Sequence, residues 1–225
     1  MKIGIHQSSF LPYVGYWNKL INSDVFFDLG DFDFSPNEMY HRTFVYDSNK
    51  FPELKYLTIP VKKEKVIISN IQITDIKKHN DSLKNVLLWY KKNVKCFHWK
   101  NVYDLIMSNN ETDNLYKYNS YFIDSICKHL NVDTKIIRES GIKENLHKSE
   151  RLIRIIKNHT DDECIYLSGS GGRNYIENDL FEKNKISIQF PTSNGEFFKG
   201  TIIDYLMRYS PEECKKIIAK QFNWS

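Results

Sequence analysis

The chain has 225 residues, of which 41% are hydrophobic and 14% aromatic; 27% are charged, with both signs mixed and a formal net charge of +4. That length suits one large domain with a core of its own, and the composition excludes extended disorder, because it supplies the apolar area needed to offset chain entropy. No apolar run approaches the roughly 18 residues a membrane-spanning helix needs, and Cys96, Cys127, Cys164 and Cys214 stand far apart with no CxxC pair, which excludes a zinc ribbon and a secreted disulfide framework.

Lys2-Ile-Gly-Ile5 reads as a short buried strand that opens directly onto His6-Gln7. Pro12 suits the first turn of a helix running to about Asn22, with Tyr13, Tyr16, Trp17, Leu20 and Ile21 on one face and Asn18 and Lys19 on or near the other. Val25 to Leu29 is a second strand, followed by the turn-rich Asp31-Phe-Asp-Phe-Ser-Pro-Asn37, too polar for core and expected to wall a site. Leu54–Val61 and Val66–Ile73 are β-branched runs expected to pair as a hairpin with Lys62-Lys-Glu-Lys65 at its tip.

From Asp81 the period becomes helical, through Leu83, Val86, Leu87 and Tyr90, then Val102, Leu105 and Ile106, then Leu115 to Leu130. A strand at Thr134–Arg138, a helix at Glu150–His159 and a strand at Glu163–Leu167 follow. Ser168-Gly-Ser-Gly-Gly-Arg173 then leads into a helix through Asn178-Asp-Leu-Phe181 and a last strand, Ile186–Phe190. Ser210-Pro211-Glu-Glu is a helix start: serine cap, proline at the first helical position, carboxylates at the positive dipole end. Alternating strands and helices predict an α/β fold over residues 1–225 as one domain, a mainly parallel sheet of short strands with flanking helices and a helical middle segment.

Open α/β sheets place ligands at the carboxyl ends of their strands, which directs attention to His6 and Gln7. The same region brings Tyr13, Gly15, Tyr16, Lys19, Asp31 and Arg42, and a histidine near neutral pKa beside a carboxylate is suited to removing a proton from an attacking amine or hydroxyl. Ser168, Gly169, Ser170, Gly171, Gly172 and Arg173 offer backbone N–H groups and a guanidinium to a phosphate, or simply make a tight turn; the loop is neither a Walker A nor GxGxxG. Gly169-Ser170-Gly171 lacks the spacers of a nucleophile elbow. Trp89 to Lys100 mixes aromatics and lysines, as a base-stacking surface does and as a core face beside solvated lysines also does. No metal-ligand spacing occurs among the histidines, and no metal or cofactor is expected.

Ile5-His6-Gln7, Phe10-Leu-Pro-Tyr13, Gly15-Tyr16, Lys19, Asp24-Val-Phe26, Asp31-Phe-Asp-Phe34 and His41-Arg42 together resemble the WbqC-like protein family. The likeness continues through Thr58-Ile-Pro-Val61, Tyr166-Leu-Ser-Gly169 with Tyr175, and Ile202-Ile-Asp204 with Leu206, so it spans nearly the whole chain. Ser8 stands where the family usually has proline, Gly30 and Asp33 where it tends to have aspartate and glutamine, and His41 where it has asparagine. The resemblance implies a bacterial cytoplasmic protein of clusters that build O-antigen, capsule or related surface glycans. The expected function is transfer of an acyl or aminoacyl group to the amine of a nucleotide-linked sugar, the donor being acyl-CoA or charged tRNA; the alternative is a non-catalytic protein that binds the glycan precursor or a partner enzyme. His6 is the expected base, oriented by Asp31. Gln7, Tyr13, Tyr16, Lys19, His41 and Arg42 are expected to bind substrate, with Tyr13, Tyr16 or Trp17 against a base or sugar, and the glycine loop with Arg173 to bind diphosphate. Neither a membrane span nor an oligomeric state is indicated.

Overall fold

A computed structural model of the chain describes residues 1–62, 64–108, 112–139, 146 and 148–225. Strands β1 (Lys2–Gln7) and β2 (Val25–Leu29) pair in parallel, Ile3 opposite Val25 through Gln7 opposite Leu29, joined over helix α1 (Val14–Ile21). The helix starts two residues later than its proline suggests. The Pro12 carbonyl accepts from the Trp17 indole at 3.1 Å and from the Ile202 amide at 3.2 Å, and Tyr13, which bridges to Thr201, is extended, so the helix begins only after it.

The hairpin is not the expected one. Strand β3 (Arg42–Tyr46) pairs antiparallel with β4 (Leu54–Thr58), burying the alternating Thr43 and Val45. The run from Val66 instead bends through a 3₁₀ turn at Ile68–Asn70, because Ile68, Ile71 and Ile73 are drawn under a helix that begins at Leu115: Leu115 N–H donates to Ile71 O (3.0 Å) and Asn114 to Ser69 O (2.8 Å). A single bridge, Val61 to Ile73, remains of the expected pairing, and Lys63 of its tip lies outside the described residues. Phe34 also departs from expectation: this residue of the turn-rich loop is buried core, against Tyr40 and His41.

Helices α2 (Ile76–Asn93), α3 (Trp99–Met107) and α4 (Leu115–His129) form the expected helical middle. The α2 helix begins before Asp81 because Asp75 caps it, accepting from Lys78 N–H at 2.9 Å. In the stretch from Trp89 to Lys100, Tyr90 is fully buried and the Trp99 indole donates to Leu87 O at 3.3 Å, which is core packing beside a lysine face. Then come β5 (Lys135–Ile137), α5 (Lys148–His159), β6 (Cys164–Leu167), α6 (Asn178–Lys183), β7 (Ile186–Gln189), β8 (Pro191–Ser193), α7 (Ile203–Arg208), α8 (Pro211–Lys220) and β9 (Phe222–Trp224). Ser210 caps α8 in a capping box with Glu213, as its sequence predicts.

The five long-range strands make one parallel sheet in the order β5-β2-β1-β6-β7. The alternation of side chains across it builds two cores. Ile3, Ile5, Val25, Phe27 and Leu29 face α5 and α6, while Phe26 joins α1, the helical middle and the two C-terminal helices. All four cysteines are free thiols, and among the described residues no helix is long and apolar enough to cross a membrane.

Candidate functional site

Chain order runs outward in opposite directions from β1 and β6, which places a topological switch point between these two strands. At their carboxyl ends lie two open lobes. The larger, of about 500 Å³, is lined by residues that include Gln7, Phe32, Glu38, Tyr166 and Tyr175. The smaller, of about 260 Å³, is lined by residues that include Tyr13, Phe197, Phe222 and Trp224. His6, Lys19 and Gly169 belong to both. A separate groove of about 400 Å³ between the β3–β4 hairpin and α2 lies away from the strand ends and holds none of these groups.

Lys19 is the unexpected member. Its helix face looks solvent-directed in sequence, yet the side chain is 5% exposed, with Nζ donating to Ile5 O at 3.3 Å. A Cβ added at Gly169 would stand 3.7 Å from that Nζ, so the ammonium sits at the junction of the β1 and β6 ends. No carboxylate among the described residues pairs with it, and burial lowers its pKa to about 8. The reason is that α1 is covered on its other side as well. Asn18 donates to the Ile218 and Ala219 carbonyls of α8 at 2.7 and 3.1 Å and accepts from the Trp224 indole at 2.9 Å.

His6 packs edge-on to Tyr16, ring centroids 4.9 Å apart, with Nδ1 2.8 Å from the Gln7 carbonyl. A carbonyl only accepts, so Nδ1 carries the proton and Nε2 keeps its lone pair. Burial and the Lys19 charge lower the His6 pKa to about 4 against the opposite pull of the Gln7 carbonyl, leaving the ring neutral at pH 7. Opposite His6 across the strands is Asp28, fully buried, whose Oδ1 accepts from Tyr16 OH at 3.2 Å and whose Oδ2 lies 3.7 Å from Arg138 Nε. Burial pushes the Asp28 carboxyl up to about 7, against the pull of Arg138 and the Tyr16 bond. Gln7 Oε1 accepts from Tyr40 OH at 2.7 Å, leaving its amide NH₂ as the donor for a ligand in the larger lobe.

The other residues expected to share the site divide. Tyr13 is 43% exposed and lies against Gly15, where a Cβ would meet its ring at 2.5 Å; glycine is what allows that approach. Tyr16 borders the smaller lobe but is only 1% exposed, and Trp17 is 0% exposed and lines neither lobe, so both rings are core rather than stacking surfaces. Asp31 is 3.3 Å from Arg151, which also stacks over Phe32 at 4.1 Å. His41 is buried against Phe34, and Arg42 donates to Asn37 O and lies 4.3 Å over the Tyr56 ring; neither lines a lobe. Of the glycine loop, Gly169 and Ser170 line the smaller lobe and Gly169, Gly171 and Gly172 the larger. Ser168 is buried beneath Gly172, and Arg173 is exposed over Phe190 at 4.3 Å, outside both lobes. Tyr166 and Tyr175 belong to the segments that carry the family resemblance but are not marked there as site residues; Glu38, Phe197, Phe222 and Trp224 carry no sequence motif, and the position of Glu38 just after the turn-rich loop is the one local hint.

The model of the family described as the WbqC-like protein family matches residues 7–216. A protein of Mycobacterium tuberculosis strain H37Rv, named uncharacterized protein Rv1507c, is 22% identical over 198 residues, which are 83% of this chain and 80% of that protein. No solved structure matches the chain.

Proposed function

We propose, from the premise that this chain belongs to the WbqC-like protein family, that it is a bacterial surface-glycan biosynthesis enzyme which binds a nucleotide-linked amino sugar in the switch-point crevice and transfers an acyl or aminoacyl group to the sugar amine. The observation that carries this reading is the buried ammonium of Lys19, without a carboxylate partner among the described residues, beside a neutral His6 in a crevice with a carboxylate, Glu38, on its larger lobe. A buried cation at the strand ends favours an anionic ligand such as diphosphate. Glu38 and the free amide of Gln7 then suit the amine-bearing sugar.

In the transfer, the amine nitrogen attacks the acyl carbonyl and forms the C–N bond, with the carbonyl electron pair moving to oxygen. His6 Nε2 accepts the proton of the resulting adduct, whose nitrogen is far more acidic than the free ammonium, so a weak base suffices. Collapse expels the donor's thiolate or ribose oxygen, which leaves with that proton. The Gln7 carbonyl, rather than Asp31, orients the ring in this scheme.

The test is thermal stabilisation of the full chain by nucleotide-linked amino sugars, compared with their N-acetylated and hydroxy counterparts, then mass spectrometry of mixtures with acyl-CoA or aminoacyl-tRNA. A ligand at 100 times its Kd stabilises by about 2.7 kcal/mol. We expect selective stabilisation by the amino sugar, its loss in Lys19→Met, and turnover reduced about 10²-fold or more in His6→Ala with binding retained. No response to any nucleotide-linked sugar overturns the reading; selective binding without a transferred group under either donor leaves a binding protein.

A further inference from the structure

Four partly exposed rings wall the smaller lobe, and each is held in place. Tyr13 rests on Gly15 and neighbours the Phe197 ring, centroids 6.4 Å apart, while remaining 43% exposed. Phe197 meets Phe222 edge to face at 5.0 Å. The Trp224 indole is oriented by its bond to Asn18. Phe222 and Trp224 lie on β9, which pairs with β8 as a separate two-stranded ribbon, and Pro191 of β8 adds a further apolar surface. Rings that are immobilised but not fully buried keep π-faces available at little entropic cost, which suits stacking on a planar heterocycle. Ser170 and Ser193 line the same lobe; the Ser193 hydroxyl donates to Gly195 O at 2.6 Å, which leaves its oxygen as an acceptor for the polar edge of such a ring.

We propose that this lobe is a nucleobase subsite, so that the nucleotide lies with its base on the C-terminal ribbon, its phosphates at Lys19 and Gly169, and its sugar in the larger lobe beside Gln7 and Glu38. The assignment rests on Lys19 as the phosphate anchor. It replaces Tyr16 and Trp17, which are core, with Tyr13, Phe197 and Trp224 as the base-stacking groups, and it gives the crevice a direction: the reacting amine is on the β2 side of His6 and the base on the α8 side.

Calorimetric titration of the full chain with inorganic pyrophosphate, with UDP and with ADP tests it, alongside tryptophan quenching by the nucleotides. Wild type is expected to bind at least one nucleoside diphosphate about tenfold or more tighter than pyrophosphate. Trp224→Leu and Phe197→Leu each remove most of that advantage and leave pyrophosphate affinity unchanged, whereas Lys19→Met weakens both ligands. Trp224 bonds to Asn18 and Phe197 makes no such bond, so the second variant guards against misfolding in the first; circular dichroism checks both. Equal affinity for pyrophosphate and both nucleotides, with the two ring variants silent and Lys19→Met still damaging, overturns the base subsite and leaves the phosphate anchor standing. No binding of pyrophosphate or of either nucleotide overturns both.

Discussion

Burial sets the chemistry of Lys19, whose charge in turn helps to set that of His6, and both can be read by titration. In the free protein Lys19 loses its proton at about pH 8, so the affinity for pyrophosphate is expected to fall about tenfold per pH unit above that value until the complex itself deprotonates. A flat affinity between pH 7 and 9 removes Lys19 from the anchor. Part of the depression of His6 comes from the Lys19 charge. A bound anion offsets that charge, so ring NMR is expected to show the His6 pKa rising from about 4 when pyrophosphate is added. His79 tests the energetic side away from the site. It is buried between Phe10 and Tyr118, ring centroids 5.1 and 5.6 Å away, and burial lowers its pKa from 6.5 to about 4. The unfolded chain therefore takes up this proton first, and its contribution is complete above pH 6.5 and lost as pH falls towards 4. The loss amounts to about 3 kcal/mol. In His79→Phe, the drop in stability between pH 6.5 and 4, measured by denaturant unfolding, is expected to shrink by about that amount.

Among the elements, the turn after β6 depends on close packing more than on any exposed anion-binding geometry. A Cβ on Gly172 would stand 2.1 Å from Ser168 Oγ and 2.9 Å from Ile176 Cδ1, and the Gly172 carbonyl accepts from both Tyr175 and Ile176. Gly172→Ala is therefore expected to cost about 1–3 kcal/mol, while Gly171→Ala, with nothing near it, stays close to neutral. Equal stabilities for the two variants on urea unfolding would show that the turn yields freely. The α8 start behaves as its sequence states: Ser210 and Glu213 cap it reciprocally, and Ser210→Ala is expected to cost about 1 kcal/mol. The β3–β4 hairpin was the element least legible in the chain. The β-branched run from Val66 carries as strong a strand signal as β3 does, and packing against α4 decided between them.

Across the whole molecule, a strand-order reversal and a helix buried on two sides create the site. Asn18 ties α1 to α8 and to Trp224, so Asn18→Ala, which strips bonds from two carbonyls and one indole, is expected to cost about 1–3 kcal/mol and to weaken nucleotide binding through Trp224. Unaltered stability and binding would mean that the ribbon seats itself. The sequence alone determined the α/β class, the five segments that become the strands of the parallel sheet, the capped start of α8 and the position of His6 and Gln7 at a strand end, because periodicity, caps and strand boundaries are local signals carried by neighbouring residues. Tertiary structure alone decided that Lys19 and Asn18 are buried, that Tyr16 and Trp17 are too deeply buried to stack on a ligand, that Arg42 and Arg173 lie outside the crevice, and that Phe197, Phe222 and Trp224 line one lobe with Tyr13. Burial depends on what covers a helix, and the face of α1 carrying Asn18 is covered by chain some 200 residues further on, a distance over which no local pattern carries information.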